Sequence, residues 1–306
     1  MRNKLIITAG VLAVLAAGIF YALTEPQTLD ASDLPDHEGD ATRGATMFWA
    51  GGCASCHAAP GSESDADLLV LAGGLALKTP FGTFRAPNIS PDPDGGIGSW
   101  SKLAFANAMT KGVSPDGRHY YPAFPYTSYQ RMKLEDVLDL KAFLDTLPPV
   151  AKAAPDHEVG FPFNVTRGLG LWKWLYLDGK PFAPDPEADD LTNRGKYLAE
   201  GPSHCGECHT PRSVIGGLDR SQWMAGAPAA EGDGFVPNIT PHATGLADWS
   251  EDDIAYALET GFTPEFDSLG STMVDVQRNM AKLTAEDRQA IARYLKYIPA
   301  LTKSKK

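Results

Sequence analysis

The four cysteines of this 306-residue chain fall into two copies of one pattern, Cys-x-x-Cys-His: Cys53-Ala54-Ser55-Cys56-His57 and Cys205-Gly206-Glu207-Cys208-His209. Two thiols at this spacing bind the two vinyl groups of one porphyrin, and the adjacent histidine reaches its iron, so each copy reads as an attachment site for c-type haem. The competing chemistries are a structural zinc site and a redox dithiol. Zinc ribbons hold their Cys-x-x-Cys pairs about 15–20 residues apart, whereas 148 residues lie between Cys56 and Cys205. A dithiol needs no histidine beside it, and both copies have one. Two covalently bound haem c groups are therefore expected, with Cys53, Cys56, Cys205 and Cys208 as attachment residues, His57 and His209 as proximal iron ligands, and a redox function.

The elements that must position these sites repeat. Arg43-Gly44 precedes the first motif as Arg194-Gly195 precedes the second, and Pro87-Asn88-Ile89-Ser90 follows the first as Pro237-Asn238-Ile239-Thr240 follows the second. Trp100 and Trp249 come next, and Gly112 and Gly261 each lie 12 residues further on. Landmarks at nearly constant spacing indicate two copies of one module. Helices are expected over 42–50 and 193–200, leading into each motif, and over 101–111 and 250–260. Ser101 is an N-cap candidate, Ser250 with Asp253 a capping box, and Gly112 and Gly261 are C′ glycines. Apolar periodicity predicts final helices within 137–148 and 287–299. Proline- and glycine-rich stretches between them are expected to be loops over the haem, and no strand pair stands out. Residues 152–189 fit neither copy; Phe161, Phe163, Trp172, Trp174 and Tyr176 make them too aromatic for a loose linker, so this segment is expected to pack across both modules.

Positions 5–23 form an uncharged, mostly apolar run preceded by Arg2 and Lys4 and followed by Glu25, Asp30 and Asp33. This length suits a single transmembrane helix, with the N-terminus cytoplasmic and the remainder exported. No Ala-x-Ala cleavage site follows, so an uncleaved anchor is expected rather than a removed signal peptide. A net charge of −11 argues against nucleic-acid binding. Lys303, Lys305 and Lys306 are expected to form a solvated tail.

The chain resembles membrane-anchored diheme class I cytochromes c, and in particular the cytochrome c subunits of bacterial periplasmic alcohol, aldehyde and sugar-acid dehydrogenases. The likeness is carried by Asn88-Ile89-Ser90-Pro91-Asp92 with Gly96-Ile97-Gly98, by Asp116-Gly117-Arg118-His119, and by Tyr121-Pro122-Ala123-Phe124-Pro125-Tyr126. In the second half it is carried by Arg194-Gly195-x-Tyr197-Leu198, by 204–212 and by Pro237-Asn238-Ile239-Thr240-Pro241. It implies an all-α protein with two tandem class I cytochrome c domains behind one N-terminal transmembrane helix. The divisions are an anchor at 1–24, a linker at 25–37, domain 1 at 38–151, a connector at 152–188, domain 2 at 189–302 and a tail at 303–306. The implied function is electron transfer from a periplasmic dehydrogenase to quinone, an oxidase or another cytochrome, with the haem domains in the periplasm of the bacterial inner membrane. A peroxidase-like diheme enzyme with an open first haem is the alternative.

The resemblance also places an axial methionine. Met273 lies 12 residues after Gly261, in the loop before the last helix, where a class I cytochrome has this ligand; Met280 competes within the same loop. The same count from Gly112 lands on Phe124, which cannot ligate iron. Three readings of the first site stay open: Met132, which aligns with the packing position Leu283; His119, giving a bis-histidine haem; or an open iron. Arg85 and Arg212 are candidate propionate partners or surface arginines, Trp100 and Trp249 core residues, and Asn88 and Asn238 turn-fixing side chains.

Overall fold

The computed structural model describes residues 2–229 and 234–302. Its elements are α1 (Arg2–Leu23), α2 (Ala41–Ala50), α3 (Cys53–His57), β1 (Ala76–Thr79), β2 (Gly82–Arg85), α4 (Lys102–Lys111), α5 (Tyr126–Tyr129), α6 (Leu134–Leu144), α7 (Leu169–Tyr176), α8 (Asp190–Glu200), α9 (Gly206–His209), β3 (Ala227–Pro228), β4 (Phe235–Val236), α10 (Glu251–Thr260), α11 (Met273–Met280) and α12 (Ala285–Tyr297). The fold is mostly helical. The expectation of no strand pairs is corrected by two short antiparallel hairpins, β1–β2 and β3–β4. Strands of four and two residues are too short to show a period of two in sequence.

The helix boundaries follow local chemistry. Asp40 caps α2 by accepting from Thr42 and Arg43, Asp189 caps α8, Ser101 caps α4, and Ser250 forms the expected capping box with Asp253 on α10. Gly112 and Gly261 end α4 and α10 at φ 59° and 82°, a left-handed turn that favours glycine.

The helix entering each motif crosses the final helix of its own half. α2 packs on α6, and α8 packs on α12. Each crossing is made at a glycine. A Cβ on Gly44 would sit 2.0 Å from the Asp139 carbonyl oxygen, and one on Gly195 would sit 1.8 Å from that of Ala290. Arg43 reaches across to Asp139 at 2.8 Å, and Arg194 to Asp287 at 2.7 Å. Phe48 and Leu198, both fully buried, fill the two crossings, and the core runs on through α4, α5, α10 and α12.

The segment 152–189 packs against both halves, as its aromatic content predicts. Lys173 Nζ donates to the Lys111 and Gly112 carbonyls at 2.7 Å each, closing the open end of α4. Trp172 Nε1 donates to the Ile215 carbonyl at 2.8 Å, and the Tyr176 hydroxyl bonds to Ser213 Oγ. Glu158 exchanges both backbone hydrogen bonds with Thr83 on β2. α1 stands exposed along its length, with a mean hydropathy of 2.3 over its apolar window. The lysine tail lies outside the described residues.

Candidate functional site

The first motif forms the helical turn α3, and the second forms α9 with Cys205 at its N-cap, so the thiols and the histidine of each copy lie within five consecutive residues. Each histidine is oriented by a proline carbonyl from the loop that follows. His57 Nδ1 lies 2.8 Å from the Pro87 oxygen, and His209 Nδ1 lies 2.7 Å from that of Pro237. A carbonyl can only accept, so Nδ1 carries the proton and Nε2 keeps its lone pair for a metal. The motif backbone is tied in the same way, with Gly73 N donating to His57 O and Gly226 N to His209 O. Burial holds both imidazoles below the usual histidine range, outweighing the carbonyl bond, so they are neutral near pH 7 and able to ligate.

No disulfide joins any of the four cysteines. Burial pushes Cys53 and Cys205 up to about 12 and Cys56 up to about 11. A working dithiol shows the opposite, a thiol activated by a lowered pKa. Two cysteines and an oriented histidine sharing one turn fit a covalently attached haem.

The loops that hold the histidines are built alike. Asn88 Oδ1 accepts from Ser90 N at 2.8 Å while its amide nitrogen donates to the Val150 and Lys152 carbonyls. Asn238 Oδ1 accepts from Thr240 N at 2.9 Å, and its amide nitrogen donates to the Leu301 carbonyl. These asparagines fix turns, and each also pins the chain after the last helix of its half. Trp100 and Trp249 pack partly buried against the core.

After Gly112 and Gly261 the halves diverge. The Gly112 carbonyl accepts from Tyr120 N and the Gly261 carbonyl from Leu269 N, both at 2.8 Å. Four residues on, Phe124 and Met273 occupy matching places. Met273 is half-buried against the core, and Met280, at the far end of α11, is fully buried. Met132 N donates to Tyr129 O as Leu283 N donates to Met280 O, so Met132 stands where the second half has a packing leucine. His119 is engaged elsewhere: its buried Nε2 donates to the Thr24 carbonyl at 2.9 Å, at the foot of α1. That contact occupies Nε2, while the buried Nδ1 has no hydrogen-bond partner among the described residues. Around Phe124 stand Tyr120, Tyr126 and Tyr129, with ring centroids 5.6–6.4 Å away.

Arg85 and Arg212 pair with protein carboxylates, Arg85 with Glu158 and Arg212 with Glu207. Glu207, inside the second motif, also accepts from Thr127 and Ser128 of α5 in the first half, at 2.5 and 2.9 Å. Burial alone would raise its pKa, but Arg212 and the two hydroxyls outweigh it and hold the carboxyl below the usual range. Ser55, inside the first motif, accepts from Asn279 Nδ2 on α11 at 2.8 Å. His204 reaches the Gly51 carbonyl at 3.2 Å from a backbone at φ 40°, an uncommon conformation for a residue other than glycine. The variable positions of each motif thus tie the attachment turns to the opposite half. Nothing in the Cys-x-x-Cys-His spacing signals these ties. The proline carbonyls had a signal, the repeated Pro-Asn-Ile string.

Residues 41–148 match the family described as cytochrome c. The chain is 51% identical over 304 residues to a diheme cytochrome c-type protein of Cereibacter sphaeroides, covering 98% of this chain and all of that one. It is 35% identical to the fructose dehydrogenase cytochrome subunit of Gluconobacter japonicus, over 92% of this chain and 56% of the relative. It is 34% identical to the gluconate 2-dehydrogenase cytochrome c subunit of Pantoea cypripedii, over 94% of this chain and 64% of the relative. Two attachment turns with proline-held histidines, together with full-length likeness to a diheme relative, establish that this chain belongs to the diheme c-type cytochromes.

Proposed function

We propose that the chain is the electron-transfer subunit of a periplasmic dehydrogenase, built as two tandem class I cytochrome c modules, 38–151 and 189–302, joined by the connector 152–188. The observation that carries this reading is the paired geometry of His57 with Pro87 and His209 with Pro237. Cys53 and Cys56 hold the first haem and Cys205 and Cys208 the second, with His57 and His209 on the irons. Bound haem supplies one-electron exchange at its iron, and the chain sets the potential and the docking. Met273 is the second ligand of the second iron, and Met132 is assigned to the first because Phe124 stands at the matching place. The helix α1 anchors the chain in the inner membrane with its N-terminus cytoplasmic, and the modules lie in the periplasm. A dehydrogenase of the class named for the relatives gives the electrons, and quinone, an oxidase or another cytochrome receives them.

The test is purification of the detergent-solubilised protein with whatever subunit accompanies it, followed by addition of alcohols, aldehydes and sugar acids. Reduction of both haems by one of these substrates is expected, with no turnover of hydrogen peroxide. Peroxide turnover by the haem protein alone overturns the carrier reading.

A further inference from the structure

The connector leaves large apolar side chains uncovered. Phe161 is 84% exposed and Trp174 75%, and Val214, on the loop after the second motif, is 95% exposed. Leu171, Trp174 and Leu175 fall at i, i+3 and i+4 of α7 and form one exposed face, while Trp172 and Lys173 on the opposite side are buried.

Contacts join the segments that carry these residues. Phe163 meets Phe81 edge to face with centroids 5.1 Å apart. Gly216 lies against that ring, and the neighbouring Ile215 carbonyl accepts from Trp172 of α7. α7 in turn begins at the foot of the anchor. A Cβ on Gly170 would lie 2.6 Å from Thr24 Cα, Arg167 Nε donates to Thr24 Oγ1 at 2.9 Å, and its Nη2 donates to the Tyr21 carbonyl at 2.6 Å. The exposed face therefore starts one residue from where α1 ends.

We infer that this surface rests on the lipid bilayer: Phe161, Phe163, Leu171, Trp174, Leu175 and Val214 insert at the headgroup–acyl boundary beside the exit of α1. The inference rests on α1 being a membrane anchor. Where a transmembrane helix ends, the interface begins, and apolar and aromatic side chains held at that level are stabilised there. Electrostatics does not supply the attachment, because a chain of net charge −11 is repelled by anionic headgroups. The consequence is orientation: the loop that follows the second motif is held against the membrane.

The test uses the full-length haem-loaded protein in vesicles of phosphatidylethanolamine and phosphatidylglycerol doped with a lipid carrying a photoreactive diazirine in its acyl chain. Labelled peptides are then mapped by mass spectrometry. Peptides with Phe161–Phe163, Leu171–Leu175 and Val214 are expected to be labelled about tenfold above the soluble background, as for side chains resident in the acyl boundary. Phe266, 85% exposed on the loop after Gly261, is the control and is expected at background. Labelling of α1 alone overturns the inference while leaving the anchor reading intact. Labelling of neither overturns both. Patch peptides protected by a co-purifying subunit and unlabelled by lipid assign the surface to a protein partner and also overturn it.

Discussion

At the residue scale the two sites share one device and differ in another. A carbonyl acceptor on Nδ1 does two things: it fixes the ring plane and it selects the tautomer that leaves Nε2 free. The thiols need only be reduced and close, which a single helical turn ensures. The difference lies after Gly112 and Gly261, where Phe124 and Met273 are equivalent by backbone hydrogen bonding. Thioether ligation raises haem potential and gives a methionine-to-iron charge-transfer band at long wavelength. Met273→Ala is expected to remove the second haem's share of that band and lower its potential. Met132→Ala is expected to do the same at the first haem. A full band surviving both substitutions shows that neither methionine ligates, and band loss in Met280→Ala moves the second ligand to the other end of α11.

At the element scale the helix crossings decide whether the sites are assembled. α2 and α8 deliver the cysteines, and α6 and α12 close over them, so the contact between the two sets how deep each attachment turn sits. Alanine at position 195 would gain about 1 kcal/mol of helix propensity over glycine. Its Cβ would also overlap the Ala290 carbonyl at 1.8 Å, and overpacking of this kind costs about 1–3 kcal/mol. The overlap involves backbone and cannot be relieved by a rotamer change. Gly195→Ala is therefore expected to lower the thermal midpoint by several degrees. Gly168→Ala, with open space around the added methyl and φ −61°, is expected to be neutral. A Gly195→Ala protein as stable as wild type refutes the tight crossing.

These elements were largely legible beforehand. Ser101, Ser250, Gly112 and Gly261 predicted helix ends because capping is local chemistry, and the repeated Arg-Gly pairs marked both crossings. The hairpins were not legible, because strands of four and two residues are too short to show alternation, and the Glu158 segment that pairs with Thr83 of β2 lies far along the chain.

At the scale of the whole molecule the two attachment turns are held against each other's half. Glu207 is the most exacting of these ties, a carboxylate buried among Thr127, Ser128 and Arg212. Its pKa is depressed below the ordinary 4.5, so the folded state binds its proton less readily than the unfolded chain does. The stability it contributes is present above the ordinary carboxylate range and is lost as the pH falls through it. Wild-type protein is expected to lose thermal stability between about pH 5 and pH 3 more steeply than Glu207→Gln, which keeps an acceptor but cannot take up the proton. Parallel pH profiles for the two proteins assign acid sensitivity to other carboxylates, Asp139 first among them, since Arg43 and His37 hold it below its usual range despite burial.

The sequence alone determined the chemistry: two Cys-x-x-Cys-His copies using every cysteine, a histidine directly after each, and an apolar run at the start of the chain. Those features are legible because covalent attachment, ligation and helix length are properties of adjacent residues. Only the tertiary structure decided that His119 is held by Thr24, that Glu207 and Ser55 tie each motif to the other half, and that Trp174 stands uncovered on α7. Each of these depends on which distant segment supplies the partner, and one chain read in order has no term for a contact between residues 95, 80 or 224 positions apart.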